Sequence, residues 1–410
     1  MKTIIKLMVL FVITLFQQIY YCQGIIKLIT VPISLDHNRM LVDGEIQRKD
    51  GSWRKVRFWI DTGTPNFMMS ETLAFDLGID LSASNNSSTK VNSMEVPPPA
   101  NIRIGNMNLN FDGVKSRVTF QPFWLFSSTG SEANIPATLL KKYHIIFDYP
   151  KKELTIAERG SINPHGIQLP MSINPKTGIA QIDVTIEKEN YSFALDVGAS
   201  YSFISEDKLK NFSSSNPDWP YITGTLGHAN MWGWWPANEE NFSVVRIPQI
   251  QSGEINFDEV GIVGVPAFSP QGPSLGEWYS QKTLKPVDGF IGPNVLKQFR
   301  IEIDYLNNKV YLEKGEDENN NEMDLIGISV RQLEDKTYQI VGIVKKNGKN
   351  LVDGIEPGDI LVRIDKLNTK GLTMGKVVDA LRGKPGDVHL LTIERDGKPL
   401  TFETIVQHVL

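Results

Sequence analysis

The chain contains two copies of one segment, and that duplication constrains its fold more than any other feature. Residues 58–71 read FWIDTGTPNFMMSE and residues 193–206 read FALDVGASYSFISE. They align without a gap, placing Asp61 on Asp196, Gly63 on Gly198 and Ser70-Glu71 on Ser205-Glu206. Downstream, LKKYHIIFDYPKKELTI (140–156) matches LKQFRIEIDYLNNKVYL (296–312), with Asp148-Tyr149 on Asp304-Tyr305. Upstream, Val31-Pro32-Ile33-Ser34 matches Leu169-Pro170-Met171-Ser172. Three matches in the same order, at a period far longer than a solenoid repeat, mean a duplicated domain.

Each copy reads as β-rich. Arg57–Ile60 and Ser192–Leu195 are short apolar runs that end at an Asp-x-Gly turn. Ile145–Tyr149 and Lys309–Leu312 flank turn residues and predict hairpins. One short helix per copy is expected, over Thr138–Lys142 and Asn294–Gln298. Ser- and Asn-rich stretches at Ser82–Thr89 and Asn211–Asp218 read as loops, and Pro97-Pro98-Pro99 as a break. After Leu312 the polar, acidic run 313–322 reads as a linker.

With 410 residues the chain has room for about two to four domains. A net charge of −5 argues against a nucleic-acid partner. The single cysteine, Cys22, rules out an internal disulfide and a cysteine-rich zinc site. It lies in a segment with Lys2 and Lys6 at its start and an apolar run from Leu7 to Phe16, too short to span a bilayer but suited to a signal peptide over 1–24. Cleavage after Gly24 would remove the cysteine and leave no transmembrane segment in the mature chain. Lipoprotein anchoring at Cys22 fits less well because bulky Tyr21 precedes it, and an uncleaved anchor is the third alternative. The expected location is periplasmic or extracellular. The six histidines show no ligand spacing, so neither a metal nor any other cofactor is expected.

Chemistry enters with the paired Asp-x-Gly turns. One copy alone is an ordinary turn. Two carboxylates brought together cannot both ionise cheaply, so they share a proton. The ionised one can then take a proton from water while the other donates to a carbonyl oxygen. Gly63 and Gly198 allow a tight turn and offer N–H donors, and Thr62, Thr64 and Ser200 offer hydroxyls.

These segments resemble the aspartic peptidases, in particular retropepsin-like, single-chain, two-lobed proteins of bacterial envelopes. The resemblance rests on Phe58-Trp59-Ile60-Asp61-Thr62-Gly63-Thr64, Leu195-Asp196-Val197-Gly198-Ala199-Ser200 and Asp288-Gly289-Phe290-Ile291-Gly292. It implies β-barrel lobes at 25–160 and 161–315, with Asp61 and Asp196 as the catalytic dyad. Two copies in one chain remove the need for dimerisation, so a monomer is expected. Two departures stand out. Val197 occupies a position where the family has Thr or Ser, and it lacks the hydroxyl that ties the two loops together, a loss of about 1–3 kcal/mol if a buried partner is stranded. In the first copy, Ala133 and Pro136 stand where Gly289 and Gly292 stand in the second. A catalytically degraded peptide-binding or scaffold protein on the same fold is therefore the alternative function.

The run Trp232-Gly233-Trp234-Trp235 reads either as a cleft wall for apolar peptide side chains or as core filling. Residues 323–410 alternate β-rich runs with Gly-Asp and Asp-Gly turns, and Met374 to Leu381 supplies one amphipathic helix. The order, with Ile355-Glu356-Pro357-Gly358-Asp359-Ile360-Leu361 and Arg395-Asp396-Gly397, resembles a bacterial PDZ domain. That resemblance implies a small α+β fold that captures peptide C-termini, with Ile326-Gly327-Ile328 as the carboxylate loop. The whole reads as mainly β: a bilobal pair of barrels, a linker at 316–322, and a PDZ domain at 323–410.

Overall fold

The computed structural model describes residues 28–82, 93–120, 128–224, 242–267, 272–316 and 323–410. The chain is mainly β. The first repeat forms a nine-stranded sheet centred on Trp53–Asp61, which pairs antiparallel with Arg39–Gln47 and parallel with Ala133–Pro136. In the second repeat, Glu189–Leu195 occupies the corresponding place in a ten-stranded sheet, between antiparallel Ala180–Ile186 and parallel Gly289–Ile291. The registers coincide. Ala133 faces Phe58 as Gly289 faces Phe193, so the parallel strand beside each Asp-x-Gly turn is the same element in both halves.

A six-stranded sheet joins the repeats. At its centre His144–Asp148 pairs antiparallel with Phe299–Asp304, His144 opposite Asp304 and Asp148 opposite Arg300. The two copies of the Asp-Tyr segment thus pair with each other, as a local two-fold axis through Ile146 and Glu302 requires. Glu302 is fully buried there, and Nε2 of His144 at 2.6 Å and the Arg300 guanidinium at 2.7 Å meet its carboxylate. One hydrophobic core runs through both repeats, from Phe58, Ile60 and Phe67 to Phe193, Ile204 and Ile291.

Two expectations shift. The helices after the parallel strands are Ala137–Leu140 and Pro293–Leu296, a residue or more earlier than the sequence suggests, because Ala137 and Pro293 already fit the first helical position. The stretch Asn211–Asp218 is not wholly a loop: helix Glu206–Ser215 runs through its first half. Leu209 and Phe212, three apart, bury one face, and Glu206 and Asp207 favour the helix N-terminus, which together outweigh the serine run. The first Ser/Asn stretch, like the signal segment and residues 317–322 of the linker, lies largely or wholly outside the described residues.

The C-terminal unit is a six-stranded sheet with one helix, Met374–Ala380. It does not hang free of the rest. Lys345–Lys346 pairs with Tyr221–Thr223, so two short strands of this unit extend the second repeat's sheet. Met323, Leu325, Val344, Val409 and Leu410 share a buried cluster with Tyr201, Phe203 and Ile222. No helix among the described residues is long and apolar enough to cross a membrane.

Candidate active site

Asp61 ends strand Trp53–Asp61, and Asp196 follows strand Glu189–Leu195. Each carboxylate is held by its own turn. Gly63 N–H donates to Asp61 Oδ1 at 3.0 Å, while Gly198 and Ala199 N–H donate to Asp196 Oδ1 at 2.9 and 3.2 Å. The two turns meet face to face. A Cβ on Gly63 would lie 2.1 Å from Asp196 Oδ2, and one on Gly198 would lie 2.8 Å from Cα and Oδ1 of Asp61. Neither glycine has positive φ. What excludes a side chain at both positions is the close approach of the opposite turn, not backbone strain.

The contact is hydrogen-bonded across the two-fold axis, but unequally. Thr62 Oγ1 donates to Leu195 O at 2.8 Å and accepts from Val197 N–H at 3.0 Å. Val197, buried in the mirror position, cannot return either bond. Trp59 Nε1 adds a bond to Gly198 O at 2.9 Å and Asn38 Nδ2 one to Ser200 O at 3.0 Å, both from the first repeat to the second. Thr64 supplies its carbonyl to Ala137 N–H and so holds the short helix that follows the parallel strand.

Both carboxyl groups are nearly sealed, Asp61 9% and Asp196 4% exposed. Burial, then the charge of Asp196, pushes Asp61 up to about 8. Burial also raises Asp196, opposed by hydrogen bonds from Tyr279, Gly198 and Ala199. Two cations face the pair. Arg39 is buried with its guanidinium 5.8 Å from the Trp59 ring centroid, and burial lowers it to about 10 against the opposing pull of Asp36, Asp196 and Asp61. Half-buried Lys282 stacks 3.3 Å from the Trp278 ring centroid, and burial lowers it to about 8, with Asp61 and Asp196 pulling the other way.

Sequence reasoning missed Arg39, Asn134, Tyr279 and Lys282. Tyr279 and Lys282 come from helix Leu275–Ser280 and the turn after it, a segment without counterpart in the matched repeats. The helix is legible by its capping box, in which Ser274 and Glu277 bond reciprocally, but nothing in that signature aims its C-terminal end at Asp196. Arg39 carried one signal, a cation entering the apolar run Met40-Leu41-Val42.

Of the carboxylate-loop residues, Ile326 and Ile328 are buried, and their N–H groups donate to Leu381 O and Ile326 O at 2.9 and 2.7 Å. Two of the three N–H groups expected to receive a peptide carboxylate are therefore engaged internally. Gly327 packs against Leu351, where a Cβ would fall 2.8 Å from that side chain. Trp232, Trp234 and Trp235 lie outside the described residues. No group of His, Cys, Asp and Glu suited to a metal occurs among the described residues.

No curated protein matches the chain. Among solved structures, a retropepsin-like aspartic protease from Rickettsia conorii aligns at 16% identity over 33% of this chain and 96% of its own, with a TM-score of 0.23. A photosystem II D1 C-terminal processing protease aligns at 19% identity over 21% of this chain, with a TM-score of 0.19, and the chain spans about a quarter (24%) of its length. Likenesses this low carry no functional weight. Residues 317–393 match the family model described as PDZ domain, and the C-terminal unit of the chain is a PDZ domain.

Proposed function

We propose that the chain is an exported, monomeric aspartic endopeptidase whose two lobes each supply one carboxylate, with a PDZ domain that binds peptide C-termini. The observation that carries this reading is the face-to-face contact of the Asp61 and Asp196 turns, where each glycine leaves room for the opposite aspartate. In the mechanism, the ionised carboxylate takes a proton from water, which attacks the peptide carbonyl. The protonated carboxyl donates to the carbonyl oxygen; the tetrahedral species then collapses as the proton taken from water passes to the amide nitrogen, the C–N bond breaks, and a hydroxyl proton returns to the other carboxyl. Gly63, Thr62, Gly198 and Ser200 support the two loops, and Trp232, Trp234 and Trp235 are candidates for the substrate cleft.

The test is cleavage of unfolded proteins across pH. Asp61→Asn and Asp196→Asn should each lower kcat/KM by about 10²–10⁴-fold; cleavage that survives both defeats the reading. The pH dependence has a definite sign. A dyad works with one proton, and Asp61 raised to about 8 keeps that proton at neutrality. Activity should persist at pH 7 and fall as pH rises through about 8, where the proton leaves and Lys282 also discharges. For the PDZ domain, a peptide with a free C-terminus should bind and its C-terminal amide should not; equal binding of both rejects carboxylate capture.

The absence of a hydroxyl at Val197 favours a second reading, a peptide-binding scaffold on the same fold. It predicts that Asp61→Asn leaves peptide affinity unchanged while the parent protein cleaves nothing.

A further inference from the structure

Within this dyad, two-fold symmetry leaves open which carboxylate carries the shared proton. The surroundings break that symmetry. On the first side, the Asn134 amide of the parallel strand lies near enough to Asp61 to favour its charged form, while its own Nδ2 donates to Asn66 O at 3.2 Å. The matching position on the second side is Phe290, which has no donor. A residue from outside the repeat replaces it: Tyr279, whose hydroxyl donates to Asp196 Oδ2 at 3.0 Å. The Tyr279 ring is held between Phe290, with centroids 5.3 Å apart, and Trp278, at 5.9 Å. Its hydroxyl fills the space in front of Gly63, where a Cβ would come within 2.2 Å of it. Asp196 therefore accepts from Gly198, Ala199 and Tyr279, whereas Asp61 accepts from Gly63.

We propose that Tyr279 is a positioning residue that holds Asp196 as the ionised member of the pair and leaves the shared proton on Asp61. This rests on the peptidase reading only for its consequence, that Asp196 is the base that activates water and Asp61 the acid. A hydroxyl donor stabilises a carboxylate in its charged form, and burial with two acidic neighbours keeps the phenol itself protonated, so its proton is there to donate to an ionised Asp196. The other charged and titratable groups facing Asp196 are Asp61, Arg39 from strand Arg39–Gln47, Lys282 after helix Leu275–Ser280, and Tyr149 after strand His144–Asp148. Arg39 and Lys282 act on both carboxylates, Arg39 more on Asp196 and Lys282 more on Asp61, so their preferences oppose each other.

The test is an NMR titration of the intact protein labelled with ¹³C at aspartate carboxyls, the two resonances assigned by their loss in Asp61→Asn and Asp196→Asn. Asp196 should titrate below Asp61. Tyr279→Phe, which keeps the ring packing, should raise the Asp196 midpoint by about one pH unit. In cleavage assays the same variant should move the acidic limb of kcat/KM upward and lower kcat about tenfold with KM unchanged. Asp61 titrating first, or an Asp196 midpoint indifferent to Tyr279→Phe, overturns the proposal. The titration needs no activity, so an inert parent protein with the ordered midpoints would defeat the peptidase reading and leave the proton order standing.

Discussion

Thr62 carries alone what two threonines would share in a symmetric site. Its hydroxyl satisfies Leu195 O and Val197 N–H, both buried at the contact between the repeats. Thr62→Val would match its volume and strand both groups away from water, at a cost of about 1–3 kcal/mol. Chemical denaturation of the parent and the variant checks this, and an unchanged midpoint would mean that other groups or water replace the bond. The asymmetry also shows what Val197 does. The site is built with one reciprocal bond where the repeat offers room for two, and Trp59 and Asn38 reinforce it from the same side. In the sequence, Val197 reads as a missing hydroxyl. The compensation is invisible there, because the indole that reaches Gly198 O sits 139 positions away.

One element that ties the site to its surroundings is the hairpin turn at His37-Asn38. Both residues have positive φ, 49° and 65°, the conformation a two-residue turn needs to match strand twist. The turn brings three neighbours into reach of one short loop. Asp36 accepts from Gly375 N–H at 2.9 Å and from the Thr373 hydroxyl at the start of the PDZ helix. Asn38 bonds the loop after Asp196, and Arg39 faces both carboxylates. Asn38→Gly keeps the turn and loses the amide bond, about 0.5–1.5 kcal/mol. Asn38→Ala adds a left-handed backbone that alanine tolerates poorly, about a further 1 kcal/mol. Thermal melts should therefore rank asparagine above glycine above alanine. Alanine at or above glycine would show that the turn relaxes out of the left-handed region. Such an element marks the limit of sequence reading. The Asp-x-Gly turns and the Asp-Tyr hairpins were legible because duplication printed each of them twice. The 36–39 turn, Tyr279 and Lys282 lie outside the segments whose sequences match between the copies, and their importance comes from partners that are distant in sequence.

At the scale of the whole molecule, the sequence suggests three beads joined by a linker, whereas the packing makes the last bead part of the second. The PDZ core around Tyr338, Ile340 and Leu391 is its own cluster. A separate cluster straddles the boundary, however, with Met323, Leu325, Val344, Val409 and Leu410 packed on Tyr201, Phe203 and Ile222. Tyr201 lies in the loop after Asp196 and donates its hydroxyl to Met323 Sδ at 3.2 Å, so the boundary reaches the edge of the candidate site. Main-chain pairing of Tyr221–Thr223 with Lys345–Lys346 crosses the same boundary. A shared core and a shared sheet couple the unfolding of the two units, because neither can open without exposing the other's apolar surface. Calorimetry of the full chain should show the second repeat and the PDZ domain unfolding in one transition, with calorimetric and van't Hoff enthalpies in agreement. Removing residues 323–410 should strip this cover and lower the stability of the remainder by about 3–5 kcal/mol, a fall of roughly 10 °C in Tm. Two resolved transitions, with the truncated protein melting where the first of them does, would instead establish a PDZ domain that merely rests on the repeat.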